Sequence, residues 1–342
     1  MSIIPENFAR PHGAGRHAWT GLLLAFIPGF GQFYHRQWLK GIIFLVLLVS
    51  FIGVFADFLR EGLWGLVTLG EEVPRDNSIF LLAEGIISVL IAAFGVMVWY
   101  LSMRDAWVNG RKRDTGLALN SVRKQYQMLL SDGFPYLMIT PGFILLVFVV
   151  VFPILFGFAI AFTNYNLYHT PPAKLVDWVG FKNFINIFTL SIWRSTFFDV
   201  LQWTVVWTLL ATTLQCSVGV LLAIPDDLYE AATMDGASSA TKLRTITLPL
   251  VLYSIAPILI TQYTFNFNNF NIIYLFNNGG PAVVGSNAGG TDILVSWIYK
   301  LTMSSSQYAI AATITILLSI FVVGLALWQF RATKSFKNDD MA

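Results

Sequence analysis

Long apolar runs alternate with short polar segments along almost the whole chain. A helix needs about 20 mostly apolar residues to cross the hydrocarbon core of a bilayer, and six runs approach or exceed that length. They predict membrane-spanning helices at 42–59, 79–101, 135–162, 197–224, 249–270 and 308–330. The pattern therefore predicts an all-α, polytopic transmembrane helical bundle.

An earlier apolar stretch, residues 20–33, is too short for an ordinary span. It contains Pro28, Gly29 and Gly31, which interrupt a regular helix. We expect a re-entrant or interfacial helix at this position, or the first half of a hairpin.

Composition favours a membrane protein over a soluble one. Of the 342 residues, 56% are hydrophobic and only 12% are charged, which is about half the charged fraction of a soluble domain. The net charge of +2 does not indicate a nucleic-acid partner. The single cysteine, Cys216, excludes a disulfide bond within the chain.

Basic residues divide the chain and orient it. Six of them lie in the segment 104–134, and lysine and arginine are enriched on the cytoplasmic side of membrane proteins. We therefore expect an N-terminal transmembrane module at 1–103, a cytoplasmic linker at 104–134 and a core at 135–337. The same rule places the polar segment 225–249 and the C-terminus in the cytoplasm, in a multi-pass protein.

The sequence lacks the motifs of the common enzyme and metal sites. It contains no Gly-x-x-x-x-Gly-Lys-Ser/Thr phosphate-binding loop, and its four histidines do not have metal-ligand spacing. No Ser/His/Asp arrangement can be argued from it. We expect no enzymatic activity, no metal and no cofactor in this chain.

A polar segment, residues 225–249, separates two apolar runs in the second half of the chain. Its main part, 230–249, reads EAATMDGASSATKLRTITLP. This pattern predicts two short helices hinged at Asp235-Gly236, with Ser238 or Ser239 capping the second. A membrane protein has little reason to keep such a structured loop unless a partner binds it, so we interpret it as a docking site.

A second polar pattern covers residues 262–281 and reads QYTFNFNNFNIIYLFNNGGP. Asparagine is costly in lipid, so Asn266 and Asn269 should face protein or water. Aromatic rings stack on the apolar faces of sugars and amides bind their hydroxyls, so the pattern favours a sugar site. The alternative is that the amides join neighbouring helices through hydrogen bonds.

The segment 230–249 resembles, position by position, the coupling loop of ABC-importer permeases, the binding-protein-dependent transport inner-membrane family. That loop shows Glu-Ala-Ala, three residues, Gly, nine residues, Ile, any residue and Leu-Pro. The matching positions are Glu230, Ala231, Ala232, Gly236, Ile246, Leu248 and Pro249. The resemblance implies that these residues, with Asp235 and Ala237, contact an ATPase.

The runs TFNFNNF and NNGGP resemble the larger permease subunit of the maltose/maltodextrin branch of that family. The resemblance implies a type I importer permease core in which this helix lines the sugar site. The implied substrate-binding residues are Gln262, Phe265, Asn266 and Asn269. We therefore expect the chain to form half of the translocation pathway for maltose or maltodextrin.

The same resemblance implies a set of partners at a bacterial cytoplasmic membrane. It implies a second permease subunit, two ATP-binding cassette ATPase subunits that bind the ATP, and an extracytoplasmic sugar-binding protein. Lipid surrounds the chain, and nucleic acid is not expected.

The chain departs from the family pattern just before the coupling loop. The family core has two further transmembrane helices there, whereas residues 218–223 run directly into 224–227 in this sequence. One of the missing helices would supply the other wall of the sugar site. An internally truncated core leaves three functions open: a maltodextrin permease, a permease for another oligosaccharide or glycerol phosphate, and a non-transporting membrane scaffold.

Overall fold

The computed structural model describes residues 15–119, 122–131, 133–223, 226–247 and 261–332, in which regular structure is helical. Five helices in these ranges are long and apolar enough to cross a membrane. They are Trp38–Thr68, Ser78–Asp114, Phe134–Ile160, Ser191–Gly219 and Tyr308–Leu327. They confirm five of the six predicted spans, and most of the sixth, at 249–270, lies outside the described residues.

The helices follow one another along the chain, with long connections before α8 and α14. They are α1 Arg16–Leu24, α2 Phe30–Tyr34, α3 Trp38–Thr68, α4 Ser78–Asp114, α5 Val122–Ser131, α6 Phe134–Leu146, α7 Phe152–Ile160, α8 Lys182–Thr189, α9 Ser191–Ala223, α10 Asp226–Met234, α11 Ser239–Lys242, α12 at 261–267, α13 Phe270–Asn277, α14 Leu294–Met303 and α15 Tyr308–Ala332.

The chain divides into two compact units. The first contains residues 1–156 and 171–175, and the second contains 157–170 and 176–342. The boundaries that we expect at 103/104 and 134/135 concern function rather than compactness, and they stay a prediction. Helix α4 continues into the expected linker as far as Asp114.

In the first unit, α1 and α2 form a helical hairpin that packs on α3 and α4. Its turn contains Gly29, which has a φ of 101°, and a Cβ at this position would lie 2.5 Å from the Gly41 carbonyl of α3. Trp99 of α4 donates a hydrogen bond of 2.9 Å from Nε1 to the Phe26 carbonyl beside the turn. Residues 20–33 therefore contain the turn of a complete short hairpin rather than the first half of one, and α4 provides a donor for the Phe26 carbonyl beside that turn. A re-entrant or interfacial position for this hairpin stays a prediction.

Polar side chains join the open end of this hairpin to α3 and α4. Asp114, at the end of α4, accepts hydrogen bonds from the first backbone N–H groups of α1, at His17 and Ala18, both at 3.0 Å. Lys40 and Asp105 form an ion pair of 2.7 Å. The contacts of Asp114 tie α1 to α4, and the ion pair joins the spanning helices α3 and α4 to each other.

Helices α6 and α7 are joined by a π-helical turn at Val147–Val151. Pro153 follows this turn, and proline can neither donate a backbone hydrogen bond nor fit against the preceding helical turn. The wider π turn gives the proline ring room, so the predicted span at 135–162 stays helical as far as Ile160 despite its prolines.

In the second unit, α8, α9, α14 and α15 surround an apolar core. Ile187, Trp297, Leu301 and Ile314 are fully buried in it. Phe267 of α12 is also buried, and its ring stacks on Phe321 of α15 with a centroid distance of 5.3 Å. This stacking fixes α12 against α15.

Helix α9 runs from Ser191 to Ala223 without interruption, and α10 begins at Asp226. Its 33 residues extend for about 50 Å, well beyond a hydrocarbon core of about 30 Å. Only two residues separate α9 from α10, so the polar segment follows this helix directly.

Candidate functional site

Helix α10 ends at a glycine hinge. Gly236 has a φ of 78°, its N–H bonds to the Thr233 carbonyl at 3.0 Å, and the N–H of Ala237 bonds to the Ala232 carbonyl at 2.9 Å. This pair of hydrogen bonds is a Schellman motif, which satisfies the last carbonyls of a helix. The predicted hinge at Asp235-Gly236 is confirmed.

Helix α11 begins with a serine cap. The Oγ atom of Ser238 accepts a hydrogen bond of 3.3 Å from the N–H of Thr241, and the backbone of Ser238 is extended, as an N-cap requires. Of the two candidates for the cap, Ser238 is the one that the structure uses.

Two side-chain contacts hold α10 against the residues that follow the hinge. The hydroxyls of Tyr229 and Thr247 are 2.7 Å apart, and Lys242 donates from Nζ to Oγ1 of Thr233 at 2.5 Å. Both contacts join α10 to the region after the hinge. Sequence reasoning missed them, because the four residues form no recognisable motif. We name residues 226–247 the elbow.

The predicted coupling residues of the elbow lie largely at its surface. Glu230, Ala231 and Asp235 are exposed, and Ala232 and Ala237 are half-buried. The backbone of Ile246 belongs to a π-helical turn at Leu243–Thr247, and Leu248 and Pro249 lie outside the described residues. The exposed carboxylates and small side chains leave a surface that a second protein can approach closely.

Two of the four predicted sugar-binding residues come together on α12 and face α9. Gln262 donates a hydrogen bond of 2.7 Å from Nε2 to Oε1 of Gln215. Asn266 is fully buried and donates from Nδ2 to Oγ1 of Thr212 at 3.0 Å and to Oε1 of Gln215 at 2.9 Å. These are the interhelical hydrogen bonds of the alternative interpretation, and sugar contact by the same amides stays a prediction.

The other two predicted residues are not part of this arrangement. Phe265 is 60% exposed, and Asn269 is buried, where its side chain accepts from the N–H of Ile272 at 3.5 Å to cap α13. Gln262 and Asn266, four positions apart, lie on one face of the helix, and both bond to α9. Phe265 precedes Asn266 by one residue, which is about 100° around the helix. An exposed ring next to two amides still offers a surface on which a sugar could stack.

Sequence reasoning missed a polar stripe on α9. Thr204, Thr208 and Thr212 are all buried and recur at every fourth position, and Gln215 continues the same face. Oγ1 of Thr208, Nε1 of Trp207 and Oδ1 of Asn266 are buried without a hydrogen-bond partner among the described residues. The i, i+4 recurrence of hydroxyls in an apolar helix was the signal available in the sequence.

The NNGGP run, after α13, forms a loop around a buried carboxylate. Asp292 is buried and accepts hydrogen bonds from Ser296 Oγ at 2.8 Å and the Gly289 N–H at 2.7 Å. It also forms an ion pair of 2.6 Å with Lys300. A Cβ on Gly279 would overlap this carboxylate, so the first glycine of the motif serves the packing of the loop.

Among the described residues, no group of three or more histidine, cysteine or acidic side chains could hold a metal ion. The chemistry that the site residues offer is hydrogen bonding by amides and hydroxyls beside an aromatic ring. This chemistry suits a neutral, hydroxyl-rich ligand.

A family model, the binding-protein-dependent transport system inner membrane component, matches residues 115–335. The chain is 51% identical to the galactooligosaccharides transport system permease protein GanP of Bacillus subtilis, over 95% of this chain and 100% of the relative. It is 36% identical to the maltodextrin transport system permease protein MdxF of the same organism, over 93% of this chain and 96% of the relative. It is 34% identical to the maltodextrin transport system permease protein MalC of Streptococcus pneumoniae, over 93% of this chain and 97% of the relative.

These alignments are longer than the chain. The alignment to GanP runs over 416 residues, whereas this chain has 342, so at least 74 residues of that relative have no counterpart here. That length accommodates two spans of about 20 residues each with their connections. It agrees with the expectation that two helices of the family core are missing between α9 and α10.

Proposed function

Because the chain belongs to the family of binding-protein-dependent transport system inner membrane components, we propose that it is a membrane-spanning subunit of an ATP-driven oligosaccharide importer. The observation that carries this proposal is the 51% identity to a galactooligosaccharides permease over nearly the whole chain. The five apolar helices support a multi-pass protein of the cell membrane.

We infer that galacto-oligosaccharides are the substrate rather than maltodextrins. GanP shares 51% of its aligned residues with this chain, against 36% and 34% for the two maltodextrin permeases. The alternative of another oligosaccharide is thereby favoured over the expected maltose or maltodextrin. The maltodextrin candidate keeps one supporting observation, the TFNFNNF run in α12.

The amides of Gln262 and Asn266 suit the recognition of sugar hydroxyls. Each amide bonds to Gln215 through its NH2 group, and an amide also carries a carbonyl oxygen that can accept from a sugar hydroxyl. Phe265, which is exposed, can then stack on an apolar face of a sugar ring. A buried acceptor without a partner, Oδ1 of Asn266, would gain one from a hydroxyl.

The elbow would transmit the motion of separate ATPase subunits. Its helices are joined by a Schellman motif, a serine cap and two side-chain contacts, so it should move as one body when an ATPase pushes on it. Pushing a rigid elbow at the end of a 33-residue helix would tilt α9 and open the pathway alternately to each side. A second permease subunit and an extracytoplasmic sugar-binding protein would complete the importer.

The missing residues support a second candidate, a membrane scaffold that binds the ATPases but does not transport. At least 74 residues of GanP have no counterpart in this chain, and the sequence predicts that the loss falls between α9 and α10, in the core of the pathway. An uptake measurement separates the two candidates.

The test is uptake of labelled galacto-oligosaccharide and labelled maltodextrin by cells that lack their own importers. The cells express this chain with a second permease subunit, the ATPase and the binding protein. We expect ATP-dependent uptake, with galacto-oligosaccharide preferred. If neither sugar enters, while a version with the two helices restored transports normally, the scaffold candidate is correct.

A further inference from the structure

An apolar groove of about 380 Å³ lies between α3 and α4 and reaches Pro28 in the hairpin turn. Every residue that lines it is apolar, including Phe44 and Phe51 of α3 and Ala92 of α4. The indole N–H of Trp99, at one end of the groove, is already bonded to the Phe26 carbonyl. The groove therefore offers no polar group to a ligand, and its occupant has to be hydrocarbon.

The dimensions of the groove fit the acyl chain of a lipid rather than a second helix. It is lined along α3 from Phe44 to Leu59, a distance of about 22 Å. A transmembrane helix is about 10 Å across, so each 10 Å of its length would fill roughly 800 Å³, twice the volume of the groove. A second helix could lie across the mouth of the groove but not inside it, whereas a single acyl chain can enter.

Hydrocarbon contact alone would not hold one lipid there. The groove belongs to two helices that are long and apolar enough to span, and lipid tails are as apolar as its lining, so no hydrophobic free energy is gained on entry. Packing against the groove walls contributes, but every phospholipid provides that equally. Selectivity must come from the headgroup.

Positive charge lies at the end of the groove where α3 begins. Arg104 follows Trp99 by five residues, about 7.5 Å along α4, and Arg36 lies just before α3. Both side chains are exposed, and neither has an ion pair in the part of the chain that the structure describes. Lys40, at the same level, is neutralised by Asp105 at 2.7 Å.

We propose that the N-terminal unit binds one anionic phospholipid, with an acyl chain in the α3–α4 groove and its phosphate beside Arg36 and Arg104. Basic groups at the cytoplasmic end of a transmembrane helix attract anionic headgroups, and the groove holds the tail directly below them. The bound lipid would fill the space between the two helices and anchor the hairpin. This site is independent of the transported sugar.

The test is native mass spectrometry of the assembled importer, purified in detergent and mixed with phosphatidylglycerol or phosphatidylcholine. We expect one phosphatidylglycerol per copy of this chain, with at least tenfold weaker retention of phosphatidylcholine. Ala92→Trp should fill the groove and abolish retention. Its matched control is Val49→Trp, which adds the same side chain at an exposed position of α3 that does not line the groove.

A pair of surface substitutions tests the headgroup contact without changing the fold. Arg36→Gln with Arg104→Gln should weaken phosphatidylglycerol binding about 30-fold, since each basic residue contributes about fivefold, and leave phosphatidylcholine unaffected. Arg75→Gln, at the other end of α3 and α4, is the charge control. Equal retention of both lipids, unchanged retention in Ala92→Trp, or an assembled importer that retains no lipid because another subunit covers the groove would each overturn the proposal.

Discussion

The side-chain amide of Gln262 donates a hydrogen bond of 2.7 Å to Oε1 of Gln215, which lies 47 residues earlier in the chain. The same oxygen accepts a second hydrogen bond of 2.9 Å from Nδ2 of Asn266. A single acceptor on α9 therefore orients both amides of α12 that are predicted to bind sugar. It follows that α9 contributes to the predicted site through Gln215.

Replacement of Gln215 by leucine should weaken sugar recognition. Both amides would lose their acceptor, and a lost hydrogen bond between uncharged groups costs about 1–1.5 kcal/mol, which corresponds to about a tenfold rise in KM for uptake. Gln215→Glu keeps the acceptor oxygens and should retain more activity than Gln215→Leu.

The matched control for Gln215 is Thr213→Leu, an exposed position two residues earlier that faces away from α12. KM and the maximal rate are measured by uptake of labelled oligosaccharide. A rise in KM with little change in the maximal rate is expected. Equal effects of Gln215→Leu and Thr213→Leu would show that α9 tolerates no leucine there and that Gln215 has no specific role.

Replacement of Gly236 should uncouple ATP hydrolysis from transport through backbone conformation alone. A Cβ at this position would meet no atom within 4 Å, but its φ of 78° is strained for a side-chain residue, at a cost of about 1–2 kcal/mol. Gly236→Val should therefore open the hinge and lower the amount of sugar transported per ATP. Gly236→Asn should be nearly neutral, because asparagine tolerates this conformation.

Sugar uptake and ATP hydrolysis are measured on the same proteoliposomes for both Gly236 variants. The essential comparison is valine against asparagine, since both add a side chain to the same exposed surface. If the two variants transport equally, the hinge angle does not matter. If both fail equally, the surface itself is the contact and the conformation is secondary.

The elbow was predictable from sequence because its determinants are local. A glycine at a helix end and a serine before the next helix specify the hinge and the cap within a few residues, and both are where we expected them. The bounds of the spanning helices were less accurate. Helix α3 continues beyond the apolar run, which ends at Leu59, as far as Thr68, because the charged residues Arg60 and Glu61 are also good helix formers.

The contacts between α9 and α12 could not be predicted in the same way. Gln215 and Gln262 are far apart in sequence. An isolated glutamine in an apolar helix forms no sequence pattern from which its hydrogen-bond partner can be predicted. The apolar stretch 20–33 was likewise left open between a re-entrant helix, an interfacial helix and the first half of a hairpin. The complete short hairpin that forms there is held by long-range contacts such as the hydrogen bond from Trp99 to Phe26, which a local pattern does not reveal.

The ion pair between Asp292 and Lys300 should be needed for the stability of the second unit. The Asp292 side chain is fully buried and that of Lys300 is 19% exposed, so Lys300→Met leaves a carboxylate with only Ser296 and the Gly289 N–H as donors. Breaking a buried pair costs about 3 kcal/mol at the lower end of the usual range, which lowers the thermal midpoint by roughly 6–12 °C.

The double variant Asp292→Asn with Lys300→Met removes both charges and should recover much of this loss, as a thermal unfolding series in detergent would measure. Arg75→Gln serves as the control, because its ion pair with Glu72 is exposed and should contribute almost nothing. Additive losses in the double variant would contradict a direct interaction between the two side chains.

Acidification should destabilise the first unit through His35. This side chain is buried, and burial, followed by the positive charge of Arg113, lowers its pKa from the ordinary value of 6.5, against weaker opposing effects of the Ala106 carbonyl and Asp105. The folded protein thus holds His35 neutral, while the unfolded chain binds a proton near pH 6.5. The contribution of His35 to the free energy of unfolding is fully present above pH 6.5. It is lost as the pH falls from 6.5 towards the lower pKa of the folded state. The measurement is the thermal midpoint of unfolding at pH 7.5 and at pH 5.5.

His35→Asn should reduce the difference between the two midpoints, whereas His169→Asn, in a loop of the second unit, should preserve it. An unchanged difference in His35→Asn would assign the acid sensitivity to other groups.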